Sequence, residues 1–215
     1  MDANVRAIKD VKLEKVKKNL EKHNMEAIIF ETKEDVVNFL DETIASGSEV
    51  SFGGSETIKE TGVLAMLQEK DIVLYDRYQP GLDDQAMKTI FRKAFFCDYY
   101  IMSSNAITED GELFNIDGNG NRVAALTYGP SKVYIVAGEN KIVTNVDAAI
   151  DRLRNVASPM NGIRLHKKTP CAVTGNCNDC ASTERMCSHY VLTRQQGLRN
   201  KNRIAVLLVK ENLGY

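Results

Sequence analysis

The chain has 215 residues, 43% hydrophobic and 27% charged, which is ample for a core and excludes a disordered tail or a coiled-coil rod. No apolar run approaches the roughly 20 residues of a membrane helix. A net charge of −1 argues against a general nucleic-acid binder. The opening MDANVRAIKDVKLEKVKK is charged throughout and lacks the apolar stretch of a secretory signal, so a cytoplasmic protein is expected. The charge is uneven. Residues 161–215 hold nine Lys and Arg against three Asp and Glu, together with four of the five cysteines.

In chain order, residues 4–23 have Val5, Ile8, Val16 and Leu20 near helical spacing and predict an amphipathic helix. AIIF (27–30) has strand length, and 33–45 reads as helix through Val36, Val37, Leu40 and Ile44. EVSFGG (49–54) is a strand ending in two glycines, followed by a helix over 55–69 that Gly62 weakens. DIVLYD (71–76) is a strand. Residues 83–96 are a helix whose expected buried stripe is Met87, Ile90, Phe91, Ala94 and Phe95. DYYIMSS (98–104) is the next strand. Short apolar strands alternating with helices predict a parallel α/β sheet covered on both faces.

From 105 to 130 the rhythm breaks. TEDGEL reads as a hairpin turn and DGNGN as a second turn. KVYIVAG (132–138) and KIVT (141–144) are strands, 146–157 is a helix, and a short helix follows Pro159 to about Lys167. RIAVLLV (203–209) is the last strand. No linker divides the chain, so one domain over 1–215 is expected, with a cysteine-rich segment at 170–202.

That segment holds Cys171, Cys177, Cys180 and Cys187, spaced C-x5-C-x2-C-x6-C. Four thiols so close together in a reducing compartment point to metal ligation rather than disulfides. Soft thiolates select an iron–sulfur cluster, with four irons in the fullest case, or zinc as the alternative. Arg164, Lys167, Lys168, Arg185, Arg194 and Arg199 are near enough in sequence to offset such a centre's negative charge. Four buried structural cysteines, or a redox C-x-x-C pair with two bystanders, would leave the same string. Cys97 reads as plain core.

Two further stretches follow predicted strands, where open parallel sheets bind ligands. Gly53, Gly54 and Ser55 allow close backbone approach at a helix start, suited to an anion, although a tight turn with a Ser cap gives the same residues. Between Asn105 and Arg122, Glu109 is a candidate base or nucleophile and Arg122 a candidate clamp for carboxylate or phosphate, with Asn105 beside them. The bland reading is a polar hairpin. Of the three histidines, His23 reads as solvated, and His189, two residues after Cys187, reads either as a support for the metal centre or as a plain surface residue.

SFGGSETIKETG, SSNAITEDGELFNIDGNGNRVAALTYGPSKVYIVAGENKIV and CAVTGNCNDCASTERMC together resemble the lactate-utilisation (LUD) domain family of the LutC/YkgG type, over nearly the whole chain. The cysteine tail is similar to that of a subgroup; simpler members lack it. The resemblance implies a fold similar to ribose-5-phosphate isomerase, glucosamine-6-phosphate deaminase and the CoA transferases. It also implies a small anionic ligand at Gly53–Ser55, a hydroxy or keto acid or a phosphate ester. Iron–sulfur partner proteins that oxidise L-lactate to pyruvate are implied as well, and a homodimer is expected for the fold. Three functions compete: a redox accessory carrying a four-cysteine centre, a sugar-phosphate or CoA-ester enzyme with Glu109 as base or nucleophile and a structural zinc, and a non-catalytic sensor or scaffold.

Overall fold

The computed structural model describes residues 2–215. Helix α1 (Ala3–Lys22) starts at Asp2, whose carboxylate accepts from the Asn4 and Val5 backbone N–H groups. The order then runs β1 (Glu26–Phe30), α2 (Lys33–Thr43), β2 (Glu49–Phe52), α3 (Glu56–Glu60), α4 (Val63–Glu69), β3 (Val73–Tyr75), α5 (Asp84–Lys93) and β4 (Tyr99–Met102). After these come β5 (Ala106–Thr108), β6 (Leu113–Asp117), α6 (Asn121–Thr127), β7 (Lys132–Gly138), β8 (Ile142–Val143) and α7 (Val146–Arg152). The chain ends with α8 (Ser158–Arg164), α9 (Pro170–Thr174), β9 (His189–Thr193) and β10 (Ile204–Val209).

Six strands form one parallel sheet in the order β1-β10-β7-β4-β2-β3. Its central strands read as unbroken apolar runs because both faces are covered. In β10, Ile204, Val206 and Leu208 enter one core with Leu13, Val16 and Leu20 of α1. Ala205, Leu207 and Val209 point the other way, into a core with Val36, Leu40, Ile58 and Leu67. The expected open, mostly parallel α/β sheet is therefore present. A second sheet, β8-β5-β6-β9, packs its Ala106, Phe114 and Ile116 on Ala149 and Leu153.

Three expectations need correction. The helix read over 55–69 is two helices, because Gly62 takes a left-handed φ of 85° and starts a new one. The stripe on α5 is mostly half-buried, and only Ala94 of the five reaches the core. On α1, Val5 and Ile8 stay exposed. Two elements were not anticipated: α6, hidden behind the DGNGN turn, and β9, which leaves the cysteine segment to pair antiparallel with β6. No helix among the described residues is long and apolar enough to cross a membrane.

Candidate functional site

Strands β2 and β4 are neighbours in the sheet, but the chain leaves β2 towards β3 and leaves β4 towards the opposite edge. Their carboxyl ends thus flank a switch point, where parallel sheets open a crevice. A cleft of about 400 Å³ lies there, lined by Gly54, Ser55, Asn105 and Arg122 of the sequence candidates.

Gly53 sits just behind the cleft wall. A Cβ on it would stand 3.0 Å from Arg122 Cδ and 3.3 Å from Tyr100 Oη, so the glycine makes room for the arginine. Gly54 does the same for Arg77, whose Nη1 would be 3.2 Å from a Cβ there. The two glycines act by admitting two guanidinium groups to the strand end.

Arg122, the sequence's candidate clamp, lines the cleft with its donors turned to the protein. Its Nη1 donates to the Ser103 carbonyl (3.1 Å) and Asn115 Oδ1 (2.7 Å). Its Nη2 donates to Asn105 Oδ1 (3.0 Å) and the Ile116 carbonyl (2.5 Å), and Nε lies 3.5 Å from Asp117 Oδ2. All five N–H groups therefore face protein acceptors. Burial pulls the guanidinium's pKa down from its ordinary value, and Asp117 opposes that. Arg122 fixes the floor of the cleft and supplies positive potential. Asn105 is part of the same frame, since its Oδ1 also accepts from the Ile116 N–H.

Glu109 is not brought to the cleft. The β5–β6 hairpin carries it to α1, where Lys12 and Lys15 each approach to 3.0 Å and hold its pKa below the ordinary carboxylate value. A base or nucleophile held there would be remote from a cleft-bound ligand.

Several cations that sequence reasoning did not place at the strand ends do line the cleft: Arg77, Lys141, Arg164 and Lys167. Arg164 is partly engaged, by Glu56 Oε1 at 3.1 Å and by Asn161. Arg77 lies over the Phe91 and Tyr78 rings, and among the described residues neither it nor Lys167 has an ion pair. Lys141 is 2% exposed, and burial, with Arg152 and Arg122 nearby, pushes its amine down to about 7. The rule that flagged Gly53 would have found Lys141, which follows the apolar strand KVYIVAG by three residues.

The four cysteines of the tail are all free thiols, and all four line one cavity of about 20 Å³. Cys171 is carried by α9, which packs closely on α8 at Gly162, where a Cβ would meet Ala172 Cβ at 2.8 Å. The loop from Cys177 to Cys187 is tied by Arg185, which donates to the Cys187 carbonyl (3.1 Å), the Cys180 carbonyl (2.6 Å) and Asp179 (3.2 Å). The Asp179 N–H points at Cys177 Sγ at 3.4 Å, a donor suited to a thiolate. No three His, Cys, Asp or Glu side chains among the described residues are drawn together as one metal ion would require. Ser158, Arg185 and Met186 line both this cavity and the cleft, so the two share a wall. His189 does not line the cysteine cavity; its ring lies against Gly120. Cys97 is core, as expected, with its thiol pushed up to about 12 by burial.

Comparison with known proteins gives the family. The model of the LUD domain matches residues 13–209. A crystal structure of a DUF162 family protein from Deinococcus radiodurans overlays with a TM-score of 0.54 at 11% identity, covering 94% of this chain and 98% of that one. Ribose-5-phosphate isomerases are similar over 53% of this chain, that of Neisseria gonorrhoeae at TM-score 0.35 and 13% identity, covering 54% of its own chain. The enzyme from Plasmodium falciparum stands at 0.32 and 20%, covering 53% of its own chain, and overlays this partial carry no functional weight. No curated protein matches by sequence. The chain belongs to the LUD domain family.

Proposed function

We propose that this LUD-domain protein is a redox accessory of hydroxy-acid oxidation, with a small anionic metabolite in the cleft and an iron–sulfur centre on Cys171, Cys177, Cys180 and Cys187. One observation carries the reading: the four cysteines line one cavity, and that cavity shares Ser158, Arg185 and Met186 with the cation-lined cleft. Family membership supports the metabolic setting. Four thiolates suit an iron–sulfur cluster, with a single zinc as the alternative.

When bound, such a cluster would accept and return single electrons. A hydroxy acid becoming a keto acid loses two electrons and two protons. A one-electron centre cannot complete that step alone, so the reading includes a partner iron–sulfur protein as the acceptor that takes the electrons onward. The chain's own residues do the rest. Arg77 and Lys167 attract and orient the carboxylate, Arg122 holds the cleft floor, and Arg185 fixes the cysteine loop beside the ligand.

The test is the spectrum of anaerobically purified protein. Brown protein bleached by dithionite is expected, with an electron paramagnetic resonance signal that changes when pyruvate or lactate is added. Colourless protein, or a signal indifferent to either acid, contradicts the reading. Unpaired Arg77 and Lys167 would suit a phosphate ester equally well, and a sugar-phosphate or CoA ester that raises the melting temperature more than pyruvate would favour an enzyme of that class with a structural zinc.

A further inference from the structure

We propose that the outer face of α8 and α9 is the docking surface for a small acidic protein that carries single electrons on an iron–sulfur or flavin group. The inference rests on the redox reading above, and it names where that reading's partner binds and what charge the partner bears.

Four large apolar side chains are exposed within this short stretch: Met160 (45%), Ile163 (62%) and Leu165 (45%) at α8, and Val173 (81%) on α9. Met160 and Ile163 are one turn apart, on the same side of their helix. The other side of α8 is buried. There Gly162 meets α9 at Ala172, and Ser158 lines the cysteine cavity. A helix is about 10 Å across, so the exposed side of α8 stands one helix width from that cavity. Leu165 also lines the cleft, so the face begins at the cleft's rim.

Charge says what covers it. Residues 152–178 contain Arg152, Arg154, Arg164, Lys167 and Lys168, and no Asp or Glu. Arg154 and Lys168 are exposed, and neither has an ion pair among the described residues. Arg154, Cys187 and Cys177 all act on the Tyr190 hydroxyl, which puts this cation near the cysteine loop. The acids that approach from other segments are engaged: Glu56 holds Arg164 at 3.1 Å, and Glu184 accepts from the Lys168 backbone N–H at 2.5 Å.

An apolar centre with free cations around it fits a partner with an acidic rim. A second copy fits poorly, since a two-fold axis through this face would set Arg154 and Lys168 against like charges. The patch is also too small for a stable dimer and matches the small contacts of transient electron-transfer pairs. A docked carrier takes one electron, so two carriers are reduced for each hydroxy acid oxidised to a keto acid, and the two protons pass to solvent.

The experiment uses the full chain, purified anaerobically, with an acidic ferredoxin and an acidic flavodoxin as probes and calorimetry as the readout. Binding of at least one is expected at low salt, weakening about tenfold as salt is raised. Ile163→Asp and Lys168→Glu, both at exposed positions, should each weaken it about tenfold with the urea midpoint unchanged. Phe96→Asp and Leu198→Asp, exposed ahead of β4 and β10 at the far end of the sheet, should leave it unaltered. No binding of either probe overturns the proposal, as does binding indifferent to Ile163→Asp and Lys168→Glu. Equal affinity for an acidic protein without a redox group, tighter binding to phosphatidylglycerol vesicles, or self-association lost in the same variants overturns it too. Iron is measured in the same samples. Face-dependent binding by iron-free protein would keep the surface and sink the redox reading, and an iron centre without face-dependent binding would do the reverse.

Discussion

The parallel sheet and the cysteine segment are held in different ways. In the sheet, β7 and β10 are buried on both faces and paired on both edges, so apolar burial and ladder hydrogen bonds act together. Between His166 and Ser188 the only regular element is the five-residue α9, Cys171 is the one buried apolar residue, and the loop is fastened by Arg185 and by contact with Gly118. Such a segment has little apolar area with which to offset the entropy of ordering. What it has is four thiols round one space. The sheet is specified by hydrophobic pattern; the segment, on the proposed reading, is specified by inorganic chemistry.

Substitutions can break or sharpen that contrast. The largest stability loss is expected on the sheet side of the cleft. Arg122→Met removes a buried cation and strands Asn115, Asn105, Asp117 and two carbonyls, at a cost of about 3–5 kcal/mol in urea unfolding. Leu207→Ala empties a fully buried position of β10 and should cost about 2–5 kcal/mol, with iron per folded chain unchanged. Cys177→Ser should do the reverse. It abolishes the cluster spectrum and opens residues 166–188 to proteolysis, while the urea midpoint of the sheet moves by less than about 1 kcal/mol. Coupled loss of both properties in either variant would show that the two regions are not held independently.

Lys141 gives a smaller, pH-dependent effect. Its folded pKa, about 7, lies below the ordinary lysine value, so the unfolded chain binds the extra proton between about pH 7 and about pH 10. Stability from this group therefore rises with pH across that window, and Lys141→Met should flatten the rise in pH-resolved unfolding. The smallest effect belongs to Glu109. Its depressed pKa means its stabilisation is present above the ordinary carboxylate value and fades on acidification. Glu109→Gln should cost under about 1 kcal/mol and leave any pyruvate-induced rise in melting temperature intact.

The same contrast explains how much could be read from the sequence. β4, β7 and β10 were legible because strands covered on both faces are continuous apolar runs. Helix α6 was not, because its first turn, Asn121-Arg122, follows Gly118-Asn119-Gly120 and carries turn chemistry into a helix. β9 was hidden because HYVLT lies on a half-exposed sheet edge with no strong burial pattern. In the site, strand-end logic led to Gly54, Ser55, Asn105 and Arg122 on the cleft, but it did not foresee how Arg122 and Glu109 are engaged. Whether Arg122 has a free donor depends on Ser103, Asn115 and Ile116 arriving from other elements. Whether Glu109 meets the cleft depends on which way the β5–β6 hairpin leans, and α1 lysines capture it. Arg77 and Lys141 follow strands too, and the same rule applied to β3 and β7 would have named them.

What the four thiols hold decides between the proposed functions. Anaerobically purified protein, assayed together for iron, acid-labile sulfide and zinc, tests this most directly. About four iron and four sulfide per chain are predicted, falling to background in Cys177→Ser. About one zinc per chain without iron, or no metal under strictly anaerobic handling, would contradict it.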